Sequence, residues 1–148
     1  MKVVRGHLWH VPRLAAILWA FSRATPWLPI VRSRSEDLRT LCAVVVKGWV
    51  RVVRDPQGVA AFSVCDGAIL HALYVHPLRW RQGLGRLLLT QAKSEAPALQ
   101  LWVLEANLAA RQFYLREGFV EVEHGEGMGN DEGLPDIRMI WRNRGSGA

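Results

Sequence analysis

Residues 74–88 read YVHPLRWRQGLGRLL, and this stretch decides the fold of the 148-residue chain. A short apolar run ends before Pro77, glycines follow among arginines, and a run of leucines then resumes. Such a pattern is typical of a β-strand that turns directly into an α-helix. Backbone N–H groups at a helix start are unpaired and carry the positive end of the helix dipole, and glycine lets an anion approach them closely. The stretch therefore predicts a phosphate-binding turn, with a glycine-rich turn and solvated arginines as the alternative.

Two common nucleotide-binding motifs do not match this turn. No Gly-Lys-Ser/Thr follows, as a P-loop requires, and the third glycine of the Rossmann dinucleotide motif is missing. The predicted phosphate site is therefore of another kind.

The composition favours a single folded domain over residues 1–148. Half of the residues are apolar and 22% are charged, which provides a sizeable core and argues against global disorder. The net charge of +6 favours a polyanionic partner: nucleic acid, a membrane surface or a phosphorylated cofactor. Because Cys42 and Cys65 stand alone in apolar surroundings, we expect both to be reduced core residues of a cytoplasmic protein. No uninterrupted apolar stretch approaches the roughly 18 to 20 residues of a membrane span.

The periodicities along the chain predict the element order β-α-α-β-β-β-α-β-α-β-β, and hence one mixed α/β sheet. Ser35, followed by acidic residues, is the expected cap of the second helix. The turn signals DPQG at 55–58 and Asp66-Gly67 separate three successive antiparallel strands. Gly118 is expected to end the last helix.

Taken together, LYVHPLRWRQGLGRLLL and LWVLEANLAARQFYLREGF resemble the two signature motifs of the GNAT superfamily of acyl-CoA-dependent N-acyltransferases. The first looks like the motif for the CoA pyrophosphate, with Gly83 and Gly85 in place and Trp80 where the family commonly has Gln or Arg. In the second, Asn107 opens a helix that carries Tyr114 and ends at Gly118-Phe119. The resemblance implies a bacterial-type member with the GNAT fold. That fold is a mixed, mostly antiparallel central sheet, flanked by helices and splayed between the fourth and fifth strands.

The same resemblance implies how acetyl-CoA is held. The pantetheine arm would pair with the free edge of the fourth strand, and the phosphates would rest on the N–H groups that open the following helix. Arginines flank the turn, and the sequence leaves open which side chain assists. The implied cofactor contacts are Leu73, Tyr74, Val75, Arg81, Gln82, Gly83, Leu84, Gly85, Arg86 and Asn107.

The resemblance also makes Tyr114 the proton donor to the leaving thiolate, with packing of its helix as the alternative role. A main-chain N–H near residues 73–75 would polarise the thioester carbonyl. The general base stays open between His71, Glu105 and a water molecule. Strand alternation is expected to place His71 on the same face as Leu73 and Val75. No metal is expected, because His7 and His10 have no third ligand.

The leading hypothesis is therefore direct transfer of an acetyl group from acetyl-CoA to a primary amine of a small molecule or a protein. A catalytically silent acyl-CoA-binding module is the alternative. A nucleic-acid partner is not expected, since the basic residues at 79–86 cluster on the cofactor motif and no nucleic-acid-binding signature is present. A membrane partner is not expected either, and the chain is predicted to be a monomer or a homodimer.

Residues 118–137 reverse the local charge. They carry six acidic residues and no Lys or Arg, in a chain of net charge +6. By resemblance, this loop borders the acceptor side of the cleft, where its acids would attract a protonated amine. A solvated acidic loop is the alternative.

Overall fold

A computed structural model describes residues 1–143 of the chain. Its elements follow the predicted order. The strands and helices are β1 (Lys2–Arg5), α1 (Val11–Arg23), α2 (Arg34–Val46), β2 (Val50–Asp55), β3 (Gly58–Asp66), β4 (Ile69–Val75), α3 (Leu84–Glu95), β5 (Ala98–Leu104), α4 (Leu108–Arg116), β6 (Val120–Gly125) and β7 (Asp136–Arg142).

The strands form one seven-stranded sheet in the order β1-β2-β3-β4-β5-β7-β6. All neighbours are antiparallel except β4 and β5, which run parallel. Within residues 1–143, β4 and β5 share a single register pair, Ile69 with Gln100. Beyond that pair the strands part and leave a cleft between their carboxyl ends. The predicted mixed sheet and its splay are confirmed.

Helices cover the sheet on two faces. On the α1/α2 face, these helices pack on β2 and β3 in a core cluster that includes Leu14, Leu41 and Phe62. On the α3/α4 face, a second cluster joins Leu89 and Tyr114 to β4, β5 and β7. The cleft between β4 and β5 therefore opens between two helical layers.

A β-bulge interrupts β4 at His71. Val64 of β3 pairs with Ala72, but the next residue of β3 pairs with Leu70, so His71 is the extra residue. Its imidazole stacks on Trp49, with ring centroids 5.4 Å apart, and Trp49 packs against the core of the α1/α2 face.

The bulge changes which way His71 points. Leu73 and Val75 pack on the opposite, α3/α4 face. The expectation that His71 shares a face with these two residues is therefore wrong, because a bulge breaks the alternation of side chains along a strand.

Two further sequence expectations are corrected by local geometry. Ser33, not Ser35, caps α2: its Oγ accepts a hydrogen bond from the Glu36 N–H, and the Glu36 carboxylate accepts one from the Ser33 N–H. The thiols of Cys42 and Cys65 are both free, but Cys42 is exposed and Cys65 is only half-buried. Cys42 points outward because the core-facing positions of α2 are Leu41 and Val45.

Candidate active site

The turn at residues 81–86, here called the phosphate turn, presents unpaired backbone N–H groups. The first intrahelical hydrogen bond of α3 runs from the Leu87 N–H to the Gly83 carbonyl. The N–H groups of Leu84, Gly85 and Arg86 therefore have no partner within the helix. Arg81 and Gly83 both have positive φ, of 64° and 80°. Apart from its own local backbone and chain neighbours, no atom of residues 1–143 lies within 4 Å of the place where a Gly83 Cβ would project. Such a turn with unoccupied space beside Gly83 is suited to an anion.

The Arg79 side chain holds this turn through bonds within the protein, so its charge is not free to bind a phosphate. Its guanidinium forms an ion pair with Asp55 at the end of β2 and donates from Nε to Gln82 Oε1 at 2.9 Å. Arg86 Nε lies 3.5 Å from Glu117 Oε1, which makes an ion pair. Arg81 has no ion pair among the described residues and is exposed. Of the arginines around the turn, Arg81 is therefore the one best placed to assist a phosphate.

The edge of β4 that faces the cleft carries free backbone groups. The His76 N–H donates to Ala60 of β3, so the backbone groups of Leu73 and Val75 point the other way, toward the cleft. Trp80 fills part of that edge, because its Nε1 donates to the Val75 carbonyl at 2.8 Å. No sequence pattern predicts this bond. It leaves the Val75 N–H and both backbone groups of Leu73 available to an extended ligand.

Helix α4 is fixed at both ends. Asn107 caps its start, with the side-chain oxygen accepting a hydrogen bond from the Ala110 N–H at 3.2 Å. Gly118 follows its end with a φ of 94°, and the Phe119 N–H then bonds the Tyr114 carbonyl at 3.0 Å. These hydrogen bonds at the two ends of α4 hold Tyr114 on the side of the helix that faces the sheet.

The Tyr114 ring is packed, but its hydroxyl group is unused. Only 8% of the residue is exposed, and its ring makes edge contacts with Phe113 and Phe119. Within residues 1–143, the structure gives this hydroxyl no hydrogen-bond partner. Burial, and to a smaller degree the neighbouring Tyr74, raises the pKa of Tyr114 well above its ordinary value. Tyr114 therefore stays protonated at neutral pH, as a proton donor must.

Tyr74 of β4 packs on the α1/α2 face of the sheet. Its ring makes an edge contact with Phe21 of α1, at a centroid distance of 5.1 Å, and a tilted contact with Phe62. Burial raises the pKa of Tyr74 as well. The resemblance implies Tyr74 as a cofactor contact, but its backbone groups alternate with those of Leu73 and Val75 and point toward Phe62 of β3, so they are not part of the free edge.

Within residues 1–143, no hydrogen bond or ring contact joins either candidate base to Tyr114. His71 lies near the closed end of the cleft, exposed and stacked on Trp49. Glu105 is also exposed, and its backbone is fixed by bonds to the Pro135 carbonyl and from the Arg111 guanidinium.

No group of three His, Cys, Asp or Glu side chains in residues 1–143 is arranged to hold a metal ion. None of the helices in the same range has the length and apolar character needed to cross a membrane.

Comparisons with known proteins agree with this geometry. A family model described as the acetyltransferase (GNAT) domain matches residues 39–121. Peptidyl-lysine N-acetyltransferase YiaC of Escherichia coli (strain K12) is 35% identical over 134 residues, which cover 86% of this chain and 90% of that protein. The chain belongs to the GNAT superfamily. As a GNAT protein it is an acyltransferase, an acetyl-CoA-dependent N-acetyltransferase.

Solved GNAT structures share the fold along almost the whole chain. The solution structure of apo YjaB from Escherichia coli has a TM-score of 0.78 at 24% identity, covering 95% of this chain and 96% of that one. The structure of YncA from Salmonella typhimurium with its cofactor acetyl-CoA has a TM-score of 0.74 at 17% identity, covering 96% and 93%. At these identities the likeness establishes the fold.

Proposed function

We propose that this GNAT protein acetylates the side-chain amine of lysine in a polypeptide, by direct transfer from acetyl-CoA held in the cleft between β4 and β5. The 35% identity to a peptidyl-lysine N-acetyltransferase supports a polypeptide acceptor. The acidic stretch at 118–137 supports an acceptor that arrives as a cation.

The proposed reaction needs a neutral amine. The lysine ammonium first loses a proton, and its nitrogen then attacks the thioester carbonyl carbon. The C–S bond breaks, the second amine proton is lost as the amide forms, and the departing thiolate gains a proton to give free CoA. The N–H groups of Leu73 and Val75 would stabilise the oxyanion, because they face the cleft and have no strand to pair with there.

The observation that carries the proposal is the unused hydroxyl of Tyr114. The ring is packed in the core, whereas the hydroxyl has no hydrogen-bond partner among residues 1–143 and is therefore available to a ligand. Because burial raises its pKa, the hydroxyl is protonated in the resting site and can donate a hydrogen bond to the leaving thiolate. The ring packing of Tyr114 is also real, so the residue serves both the core and the proposed transfer.

The phosphate turn would hold the other end of acetyl-CoA. The N–H groups of Gln82, Gly83, Leu84, Gly85 and Arg86 would bind the pyrophosphate, with Arg81 assisting. Asn107 caps α4 and would contact the cofactor from there. The pantetheine arm would extend along β4 from Val75 to Leu73.

The proposal is tested with peptides that carry one lysine and a blocked N-terminus. Incubation with acetyl-CoA should release free thiol and add one acetyl group to the lysine, detected by mass spectrometry. A matched peptide with norleucine in place of lysine is the control. Acetylation of only α-amines or small amines would contradict the lysine proposal, and release of no thiol with any amine would favour the silent acyl-CoA-binding module.

The general base is tested separately, since His71, Glu105 and a water molecule are the alternatives. A loss of turnover in His71→Gln that is absent in Glu105→Gln would assign His71, and the reverse would assign Glu105. Parent-like pH profiles in both variants would favour water. The proposed compartment is the cytoplasm, where free thiols such as Cys42 are stable, and the proposed assembly is a monomer or homodimer.

A further inference from the structure

The indole of Trp80 reaches back from the turn after β4 to the strand itself. Its Nε1 donates to the carbonyl of Val75, the last residue of β4, at 2.8 Å. That carbonyl faces the cleft, because the next N–H along the chain, that of His76, bonds Ala60 of β3 instead. The indole therefore pairs a carbonyl that has no strand partner once β4 and β5 have parted.

Little else holds the Trp80 ring at this edge. The residue is 45% exposed and belongs to none of the core clusters. Within residues 1–143, no aromatic ring or cation stacks on its indole. The ring is therefore kept in place by one hydrogen bond near the surface, and such a bond is weak enough for a ligand to replace.

The backbone that carries Trp80 is fixed, in contrast to the ring. The Arg79 N–H donates to the His76 carbonyl at 2.8 Å, and the Arg79 guanidinium binds both Asp55 and Gln82. Rotation of the Trp80 side chain can therefore free the Val75 carbonyl while the phosphate turn keeps its shape.

The pantetheine arm of CoA offers the groups that this edge of β4 would bind. It carries amides, each with one N–H donor and one carbonyl acceptor, so an arm that runs along the edge can bond it as an added strand does. The acceptors on the edge are the carbonyls of Leu73 and Val75, and the Val75 carbonyl is the last one before the phosphate turn. Trp80 occupies that acceptor and the space beside it.

We infer that the Trp80 indole competes with the pantetheine arm of acetyl-CoA for the edge of β4. It occupies the edge in the free protein, leaves it when the arm binds, and returns when CoA departs. The inference rests on the path of the arm along β4 that is part of the proposed function. Because the arm must replace an existing hydrogen bond, Trp80 lowers the affinity for CoA. A ligand without the arm binds only the phosphate turn and does not compete with Trp80.

Two ligands and two matched variants test the inference. Trp80→Phe keeps an aromatic ring and removes the N–H that bonds Val75. Trp9→Phe makes the same change at a tryptophan that is 74% exposed between β1 and α1. ADP has the adenosine and pyrophosphate of CoA but no pantetheine arm. We expect Trp80→Phe to bind CoA about threefold to tenfold more tightly than the parent and to bind ADP within about twofold of it, whereas Trp9→Phe should bind both ligands like the parent.

Calorimetry gives the Kd of CoA, and displacement of CoA gives the Kd of ADP. A CoA affinity in Trp80→Phe that is equal to the parent value would overturn the inference, because the indole would then not compete. A weaker affinity would overturn it as well, because the indole would then support the arm. A gain that CoA and ADP share equally would place the effect on the phosphate turn and would also contradict the inference.

Tryptophan fluorescence reports on the displacement of the ring. Bound CoA should change the emission of the parent more than that of Trp80→Phe, whereas ADP should change both proteins alike. Equal changes with CoA in the two proteins would show that the Trp80 ring does not move, and would overturn the inference. If CoA displaces Trp80 but the lysine peptide is not acetylated, the proposed acceptor fails while the inference about Trp80 stands.

Discussion

Arg79 forms an ion pair with Asp55 and so ties the phosphate turn to the end of β2. The same guanidinium donates to Gln82, which makes Arg79 a brace between the sheet and the turn. Hydrogen bonding to Arg79, and then to the Gln57 N–H, lowers the pKa of Asp55 below its ordinary value. Arg79 is the first arginine of the basic stretch 79–86, but its guanidinium is bonded within the protein and is not free to bind a phosphate.

Asp55→Asn should weaken CoA binding, because Arg79 would lose the charge that holds it against β2. The affinity of CoA, measured by calorimetry, should fall several-fold in this variant. Asp66→Asn is the matched control, because Asp66 lies at the end of β3 that is distant from Asp55. This variant should leave the CoA affinity within about twofold of the parent value. If both variants bind CoA like the parent, the brace is not needed to shape the turn.

The same ion pair predicts an acid dependence. Since the pKa of Asp55 is lowered in the folded state, its stabilisation is fully present above the ordinary value of about 3.9 and is lost as the pH falls through the folded-state pKa. The difference in thermal stability between the parent and Asp55→Asn should therefore shrink below about pH 4. A difference that stays constant down to about pH 2 would exclude the ion pair as its source.

Gly83→Val should abolish most CoA binding, because it puts a side chain into the open space of the phosphate turn. Its positive φ adds a folding cost, so the matched control is Gly67→Val in the β3–β4 turn. Gly67 also has a positive φ, and no atom of residues 1–143 lies within 4 Å of where its Cβ would project. Both variants should lose stability by similar amounts, roughly 1–2 kcal/mol or somewhat more. Only Gly83→Val should lose affinity for CoA, and equal affinities would place the phosphates elsewhere.

The glycine turn and the capped helix α4 were predictable because their signals are local. Glycine at positive φ and an Asn at a helix start each reflect the backbone of a few neighbouring residues, so Gly83 and Asn107 could be assigned from the sequence. No residue pattern within β4 or β5 predicts that the two strands part. The splay was predicted only through the family resemblance that these local motifs carry.

The features that the sequence did not predict depend on distant partners. The bulge at His71 is set by how β4 pairs with β3, and no pattern within β4 marks it. Arg79 meets Asp55 across a sequence separation of 24 residues. Trp80 bonds a strand carbonyl that only the parted strands leave free. Cys42 sits in an apolar segment, but the rotation of α2 about its axis decides that it faces outward.

The exposure of the two thiols can be checked chemically. Cys42 should react with iodoacetamide at least about tenfold faster than Cys65 in the folded protein. Burial, with nearby acidic side chains, raises the pKa of the Cys65 thiol, and its S–H donates to the Gly67 carbonyl. Peptide mapping after timed labelling separates the two sites. Equal rates, or faster labelling of Cys65, would show that α2 is rotated differently.

The raised pKa of Tyr114 predicts the alkaline side of the rate profile. A proton donor must be protonated, and an ordinary tyrosine loses its proton near pH 10. Because burial raises this pKa in the folded protein, turnover should show no decline from Tyr114 up to about pH 10. The profile is measured with an acceptor that is saturating throughout. A decline below that pH in the parent that is absent from the residual rate of Tyr114→Phe would contradict the prediction.

We propose that Tyr114 gives a proton to the leaving thiolate in an acetyl transfer from acetyl-CoA. Tyr114→Phe tests it most directly, because the ring packing against Phe113 and Phe119 is kept and only the hydroxyl is removed. The measurement is free CoA thiol released per enzyme under single-turnover conditions, with acetyl-CoA affinity determined in parallel. We predict a rate lower by a factor of about 10² to 10⁴ with acetyl-CoA affinity within about twofold of the parent. A parent-like rate in Tyr114→Phe would show that Tyr114 is not the proton donor.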